Sequence, residues 1–325
     1  MYFLELFLQN ILTAPILFFA LGMSAGFIKS DLNVPESISR YLSLYLMMSI
    51  GFKGGAALAS SGSYDQAIWM TATAGIAFGF LQPVLGFFLL RHTTQIDRAT
   101  AAAVSAHYGS VSMVTFVTAV SFLNINEIIF AGYIVAVLAL MEAPAIVSGL
   151  LMAKGAAARC SGTERHRLIA DVLTNGAIVL LIGSFLIGWV TGENGLKSVD
   201  AFLISPFQGV LCLFLLDMGL LAARSLHLAK GFSLSLAAFA FYMPVISACL
   251  GIIISYWIGL DRGTGFLFTT LCASASYIAV PAAMRLALPE AQPSIYIPMS
   301  LALTFPFNIT LGIPLYYKVA EITLS

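Results

Sequence analysis

Charge is scarce in this sequence. Only 9% of its 325 residues are Asp, Glu, Lys or Arg, against 60% hydrophobic, and mean hydropathy is +0.96. Such a composition excludes a soluble globular domain and describes a polytopic membrane protein that meets the lipid bilayer over most of its surface. The 15 basic and 15 acidic residues cancel, which leaves no basic surface for nucleic acid. Four cysteines, Cys160, Cys212, Cys249 and Cys272, show neither paired nor metal-ligand spacing, and they read as free packing residues. The sequence has no phosphate-binding GxxxxGK loop followed by Ser or Thr, which argues against a primary pump. It has no Ser/His/Asp or metal-ligand set at a spacing that would serve an intramembrane enzyme, and no attached output domain of the kind a sensor carries. A basic segment ahead of the first apolar run is also missing, with Glu5 there instead. The first run is therefore expected to be a span and not a cleaved leader.

What is present is a series of ten apolar runs: 11–29, 38–60, 66–90, 99–122, 127–153, 169–191, 203–223, 232–258, 264–288 and 294–318. Each is long enough to cross a hydrocarbon core. Eleven of the 15 Lys and Arg residues follow odd-numbered runs: Lys29, Arg40, Arg91, Arg98, Lys154, Arg159, Arg165, Arg167, Arg224, Lys230 and Arg285. Only Lys197, Arg262 and Lys318 lie on the other side. The positive-inside rule then places both termini outside and the 154–168 loop in the cytoplasm.

The two halves repeat. Asp97-Arg98-x-Thr100 leads into Gly109-Ser110-Val111-Ser112-Met113-Val114, and 164 residues later Asp261-Arg262-x-Thr264 leads into Ala273-Ser274-Ala275-Ser276-Tyr277-Ile278. Leu12, Thr13 and Gly22 match Leu173, Thr174 and Gly183 at an offset of 161, as does Pro83 with Pro244; Gly149 matches Gly312 at 163. Five spans per copy is an odd number, so the second copy must be inverted relative to the first, as in many secondary transporters. The expected organisation is an all-α membrane protein: a first five-helix repeat over 1–153, a cytoplasmic loop over 154–168 and an inverted second repeat over 169–325.

Spans four and nine each carry small and hydroxyl residues at mid-length, which predicts two broken helices crossing near the bilayer midplane. The half-helix N-termini would face each other there with free N–H groups and partial positive charge, an anion site without Lys or Arg. Gly109, Ser110, Val111, Ser112, Ala275, Ser276 and Tyr277 are the candidate anion-binding residues. The first halves end with exposed carbonyls, which together with hydroxyls suit sodium. The candidate sodium ligands are Ser110, Ser112, Thr115, Ser274, Ser276 and Asn308. Gly109 is expected to supply backbone freedom at the break. Asp97 and Asp261 read as helix N-caps. His107 and Tyr108 either line the site or pack as neutral aromatics.

Three charged residues fall inside spans and need an account. Lys53 and Asp217 are 164 apart, and the expectation is an ion pair joining the halves, structural or broken during transport. Glu142, beside Pro144, is either a protonatable or cation-binding group near the site or lies closer to the cytoplasmic face. All three are candidate coupling or gating residues.

The runs AHYGSVSMVTFVTA (106–119), ASASYIAVPAAMRLALPEA (273–291) and LALTFPFNITLGIPLYYK (301–318) resemble the sodium-dependent bicarbonate transporter family typified by cyanobacterial high-affinity importers. That resemblance implies a sodium-coupled bicarbonate symporter of the inner membrane, built as a homotrimer, with spans one, two, six and seven as scaffold and the others as a moving core. Sodium is then the coupling ion, and no other cofactor is implied. A small PII-like cytoplasmic regulator is a further implication, against which the short 154–168 loop weighs. The alternative is a sodium- or proton-coupled carrier of another small organic anion.

Overall fold

A computed structural model describes residues 3–61, 66–154, 176–227, 232–277, 280–281, 284 and 288–324. Among the described residues the secondary structure is helical throughout, with eight helices long and apolar enough to cross a membrane, or nine when a bent N-terminal pair counts as one span. In chain order they are α1 (Phe3–Ile11) with α2 (Ala14–Phe27), α3 (Glu36–Ser61), α4 (Gln66–Thr93), α5 (Arg98–Gly109) with α6 (Met113–Ile125), α7 (Ile134–Lys154), α8 (Gly176–Val199), α9 (Phe207–His227), α10 (Leu234–Ile258) and α11 (Arg262–Ala273). A last span covers Pro293–Thr323. Arg159, Arg165, His166, Arg167, Cys160 and most of the second half of the run expected at 264–288, Ile278 included, lie outside the described residues.

The first span begins earlier than the hydropathy suggests. α1 and α2 meet at 64°, because Pro15 has no amide to bond the Ile11 carbonyl and the helix must restart. Asn10 fixes the bend against the last span, its Nδ2 donating to the carbonyls of Ile309 (2.9 Å) and Thr310 (3.2 Å). That last span is wound partly in wider π-type turns, Pro298–Thr304 and Asn308–Gly312, which accommodate the rings of Pro306 and Pro314 and bracket Thr304 and Asn308. Such turns recur at functional positions in helices.

Two helix pairs carry the tightest packing, α3 with α8 and α2 with α9. Lipid supplies little hydrophobic drive between helices, so close approach depends on small residues. In the first pair Gly55 lies against the Phe185 carbonyl and Gly188 against Phe52; in the second Gly219 lies against the Phe19 carbonyl and Gly22 against Leu216. A Cβ at any of the four would overlap backbone of the facing helix. Gly22 with Phe19, and Gly188 with Phe185, 166 residues on, take part in the same kind of contact, whereas Gly183, which the sequence sets against Gly22, has open space around it.

Substitution at these glycines should therefore divide cleanly. Gly22→Ala and Gly219→Ala are each expected to lower stability by about 1–3 kcal/mol through overpacking, while Gly183→Ala leaves it unchanged or slightly higher. Thermal unfolding in detergent, followed by size exclusion, reads the difference, and equal melting of all three would contradict these contacts.

Candidate functional site

The two half-helices α5 and α11 are built alike. Asp97 adopts φ −62°, ψ 162° and accepts from the Thr100 amide at 2.8 Å; Asp261 adopts φ −62°, ψ 160° and accepts from the Thr264 amide at 2.9 Å. Both aspartates are thus N-caps, each satisfying an amide that the first helical turn cannot. Burial alone would raise the Asp97 carboxyl, but hydrogen bonds from Thr100 and Gln292 outweigh it and hold the group below the usual carboxylate range. The threonine hydroxyls then receive the loops ahead of the last span and of α7: Thr100 accepts from the Gln292 amide (3.1 Å) and Thr264 from the Ala131 amide (2.8 Å). Gln292, in a loop without regular pattern, gives no sequence signal of this role.

Twelve residues after each cap the helix stops. Ser110 and Val111 leave helical geometry, and Ser112 caps α6 by accepting from the Thr115 amide at 3.2 Å. Ser274, Ala275, Ser276 and Tyr277 form the second break, and Val280 and Pro281 are helical again. Proline is tolerated in that first turn because its missing N–H would be unpaired there anyway. The two breaks touch. The Ser112 amide donates to Ser274 Oγ (2.8 Å), which itself donates to the Leu271 carbonyl (2.8 Å), and the Ser276 amide donates directly to the His107 carbonyl (2.8 Å). His107 and Leu271 are 164 apart and hold the same place in their helices. The His107 carbonyl is bonded directly, the Leu271 carbonyl through a serine.

Ser110, Ser112, Thr115, Ser274, Ser276, Val111 and Ala275 are all buried at this crossing. Gly109 serves differently from the expectation. It lies within the helix, and a Cβ would overlap the Pro83 ring and meet Ala145 at 3.1 Å, so close packing of α4 and α7 demands glycine here and backbone freedom does not. Thr115 gives its hydroxyl to Ser112 (3.0 Å) and Thr118 to the Val114 carbonyl (2.8 Å). Asn308 arrives from the last span with its amide on the Ala273 carbonyl (3.0 Å) and its carbonyl accepting from Tyr316 (2.8 Å). Tyr108 reaches Thr304 at 2.6 Å; Tyr316 and this link were not foreseen, since a hydroxyl at the tip of an apolar ring leaves little trace in a hydropathy pattern.

Several polar atoms at the crossing are buried without a partner: Ser110 Oγ, His107 Nε2 and the Tyr277 hydroxyl, which faces Ser112 without normal bonding geometry. His107 packs its ring 4.6 Å from that of Tyr296 and holds the Ala103 carbonyl at 2.7 Å through Nδ1. On α7, Glu142 sits one turn before Ala145, the residue that faces Gly109, and its buried Oε2 is likewise unpartnered. Unsatisfied buried groups are uncommon in native proteins and call for a ligand, an ion or water.

The expected Lys53–Asp217 pair does not form. Lys53 Nζ lies 5.8 Å from the centre of the Phe207 ring, with Asp200 the carboxylate that acts on it, whereas Asp217 is influenced by Ser39 and Arg224. The two side chains face different neighbours.

The crossing also predicts an asymmetry in stability. Ser274→Ala removes the acceptor of the buried Ser112 amide and is expected to cost about 1–3 kcal/mol, whereas Ser110→Ala removes a hydroxyl that bonds nothing in the fold and should leave the melting temperature within error. Thermal unfolding of the two variants in one detergent compares them directly, and equal losses would refute the bonding pattern.

No curated protein sequence matches this chain. A family model does: residues 14–321 match the Na+-dependent bicarbonate transporter superfamily. The match runs from the start of α2 to the end of the last span and takes in both half-helices and their crossing. A chain of apolar helices matched over nearly all its length is a multi-pass membrane transporter and not an enzyme; it belongs to the Na+-dependent bicarbonate transporter superfamily.

Proposed function

We propose that this protein is a sodium-coupled bicarbonate symporter whose anion site is the crossing of the two breaks. The observation that carries the reading is the pair of bonds joining Ser112 to Ser274 and Ser276 to His107, because they hold the start of α6 beside the end of α11 where three polar atoms remain unpartnered. The first amides of α6, at Met113 and Val114, have no intrahelical carbonyl to bond. An anion at Ser110, Ser112, Ser276 and Tyr277 would receive them, aided by the helix dipole. Sodium is assigned to the oxygen-rich side, with the hydroxyls of Ser110, Ser112, Thr115, Ser274 and Ser276 and the carbonyl of Asn308 as ligands. Glu142, one turn away with a free oxygen, is a further coupling group.

The reading takes the two halves as inverted five-helix repeats with ten spans. Exchange of span one with six and of two with seven converts the α3/α8 pair into the α9/α2 pair, and the glycine contacts follow the same exchange. It also takes spans one, two, six and seven as a scaffold, both termini as outside in a bacterial inner membrane, and the assembly as a trimer. The exposed Leu186, Ile187 and Val190 of α8 offer an apolar face to lipid or to a neighbouring protomer.

Uptake of labelled bicarbonate into liposomes holding the purified protein tests the reading. An inward sodium gradient should accelerate uptake severalfold, and excess acetate, pyruvate or glutamate should leave it unchanged. Sodium-independent uptake would overturn the coupling, and inhibition by an organic acid would move the substrate to that class. Ser110→Ala and Ser276→Ala should reduce sodium-dependent flux by about tenfold or more while the protein still elutes as the parent does. Normal flux in both would return these serines to helix packing.

A further inference from the structure

Without its expected partner, Lys53 is a cation inside a membrane span with no ion pair among the described residues. Such a group costs several kcal/mol unless it is hydrated or meets a counter-charge. Its surroundings suggest what it meets. Lys53 lines a cavity of about 390 Å³ together with Ala57 on the same helix, Phe207 at the start of α9, Asn124 near the end of α6, Glu127 in the following loop and Val135 on α7. The walls come from α3 and α9 on one side and from α6 and α7 on the other. The cavity thus lies on the seam between the glycine-packed pairs and the helices that bear the crossing. Asn124 is twelve residues past Ser112, about 18 Å along α6, so the cavity opens at the end of α6 remote from Asp97. With Asp97 on the cytoplasmic side, that end faces outside.

We propose that Lys53 forms a capture site for a small anion in the outer mouth of the protein, ahead of the crossing. Two carboxylates are near. Glu127 lines the rim and Asp200 acts on Lys53 from the end of α8, but both are exposed and screened by solvent. Lys53 is half-buried over an aromatic ring, where its field is less screened and dominates the floor of the cavity. Lys53 and the Phe207 ring both line the open space of about 390 Å³, which is large enough for a planar oxyanion of three oxygens with its hydration water. The site rests on the proposed function for the identity of the anion as bicarbonate and for the outward side of the cavity.

The test reads the charge separately from transport. A cysteine at Ala57, which is exposed and lines the cavity, is labelled from outside with an anionic sulfonatoethyl and a cationic trimethylammonium-ethyl methanethiosulfonate. The parent chain serves as control for Cys249, which is exposed and free. In the Ala57→Cys background, Lys53→Gln should lower the ratio of anionic to cationic labelling about three- to tenfold and Lys53→Arg should keep it. In the otherwise unaltered protein, Lys53→Gln should raise the bicarbonate KM by a similar factor with kcat and sodium dependence retained, and Lys53→Arg should restore it. A labelling ratio indifferent to Lys53→Gln, or a bicarbonate KM unchanged while the ratio falls, would overturn the capture site. A parent protein that carries no bicarbonate would instead refute the proposed substrate, with the labelling ratio still reporting whether the cavity attracts anions.

Discussion

A helix interrupted in the middle of an apolar span strands backbone groups where no water can reach them. Each break frees up to four amides and four carbonyls, and every one left unpaired costs a few kcal/mol in a hydrocarbon-like interior. This protein has two such breaks and sets them against each other, so that an amide of each finds a carbonyl or hydroxyl of the other. The surrounding architecture follows from that requirement. Both half-helices are buried on all sides, whereas α8 and α10 present much of their surface outward. Asn308 closes the Ala273 carbonyl, and the threonines at 100 and 264 receive loop amides. What these bonds leave over, at Ser110, His107 and Tyr277, is where a ligand is worth most.

The glycine-packed pairs answer a different demand. α2 with α9 and α3 with α8 each join a helix from one half of the chain to a helix from the other, so neither half is a separable unit. Backbone-to-backbone contact at Gly22, Gly55, Gly188 and Gly219 tolerates no added carbon, and this makes the pairs poor candidates for sliding. Around the crossing, packing relies more on hydroxyls and on the wider turns of the last span. A rigid frame beside a region held by exchangeable hydrogen bonds is the division of labour that alternating access requires.

Much of this was legible in the sequence, and the failures are instructive. The caps at Asp97 and Asp261 and the breaks beyond Gly109 and Ala273 were readable because capping and helix interruption depend on residues a few positions apart. The sequence sets Gly22 against Gly183, whereas Gly188 makes the like contact; an apolar segment of few residue types aligns with itself at several offsets, and only contact with the facing helix tells which glycine is packed. Gly109 was recognised as indispensable for the wrong reason; the Pro83 ring that excludes a side chain is 26 residues away in sequence. Tyr316 and Gln292 were missed for the same cause, since their partners are set by tertiary packing alone.

The Lys53–Asp217 pairing failed on geometry. In the proposed inverted repeat, a two-fold axis in the membrane plane would carry a residue above the midplane to an equal depth below it, so equivalent positions would meet only when both lie at the midplane. Lys53 stands 17 residues into α3 and 8 before its end, whereas Asp217 is influenced by Ser39, three residues into that same helix, and by Arg224 near the far end of α9. In the proposed orientation, the cation would sit towards the outer mouth and the carboxylate towards the cytoplasm. An anion moving inward would then pass from an attracting to a repelling charge, a gradient that favours loading outside and release inside without altering the overall equilibrium. In the proposed symport the driving force would come from sodium, each net positive charge carried inward gaining about 2.3 kcal/mol per 100 mV. On that reading the breaks would hold anion and cation together, and the unequal charges of the two halves would give the frame a direction.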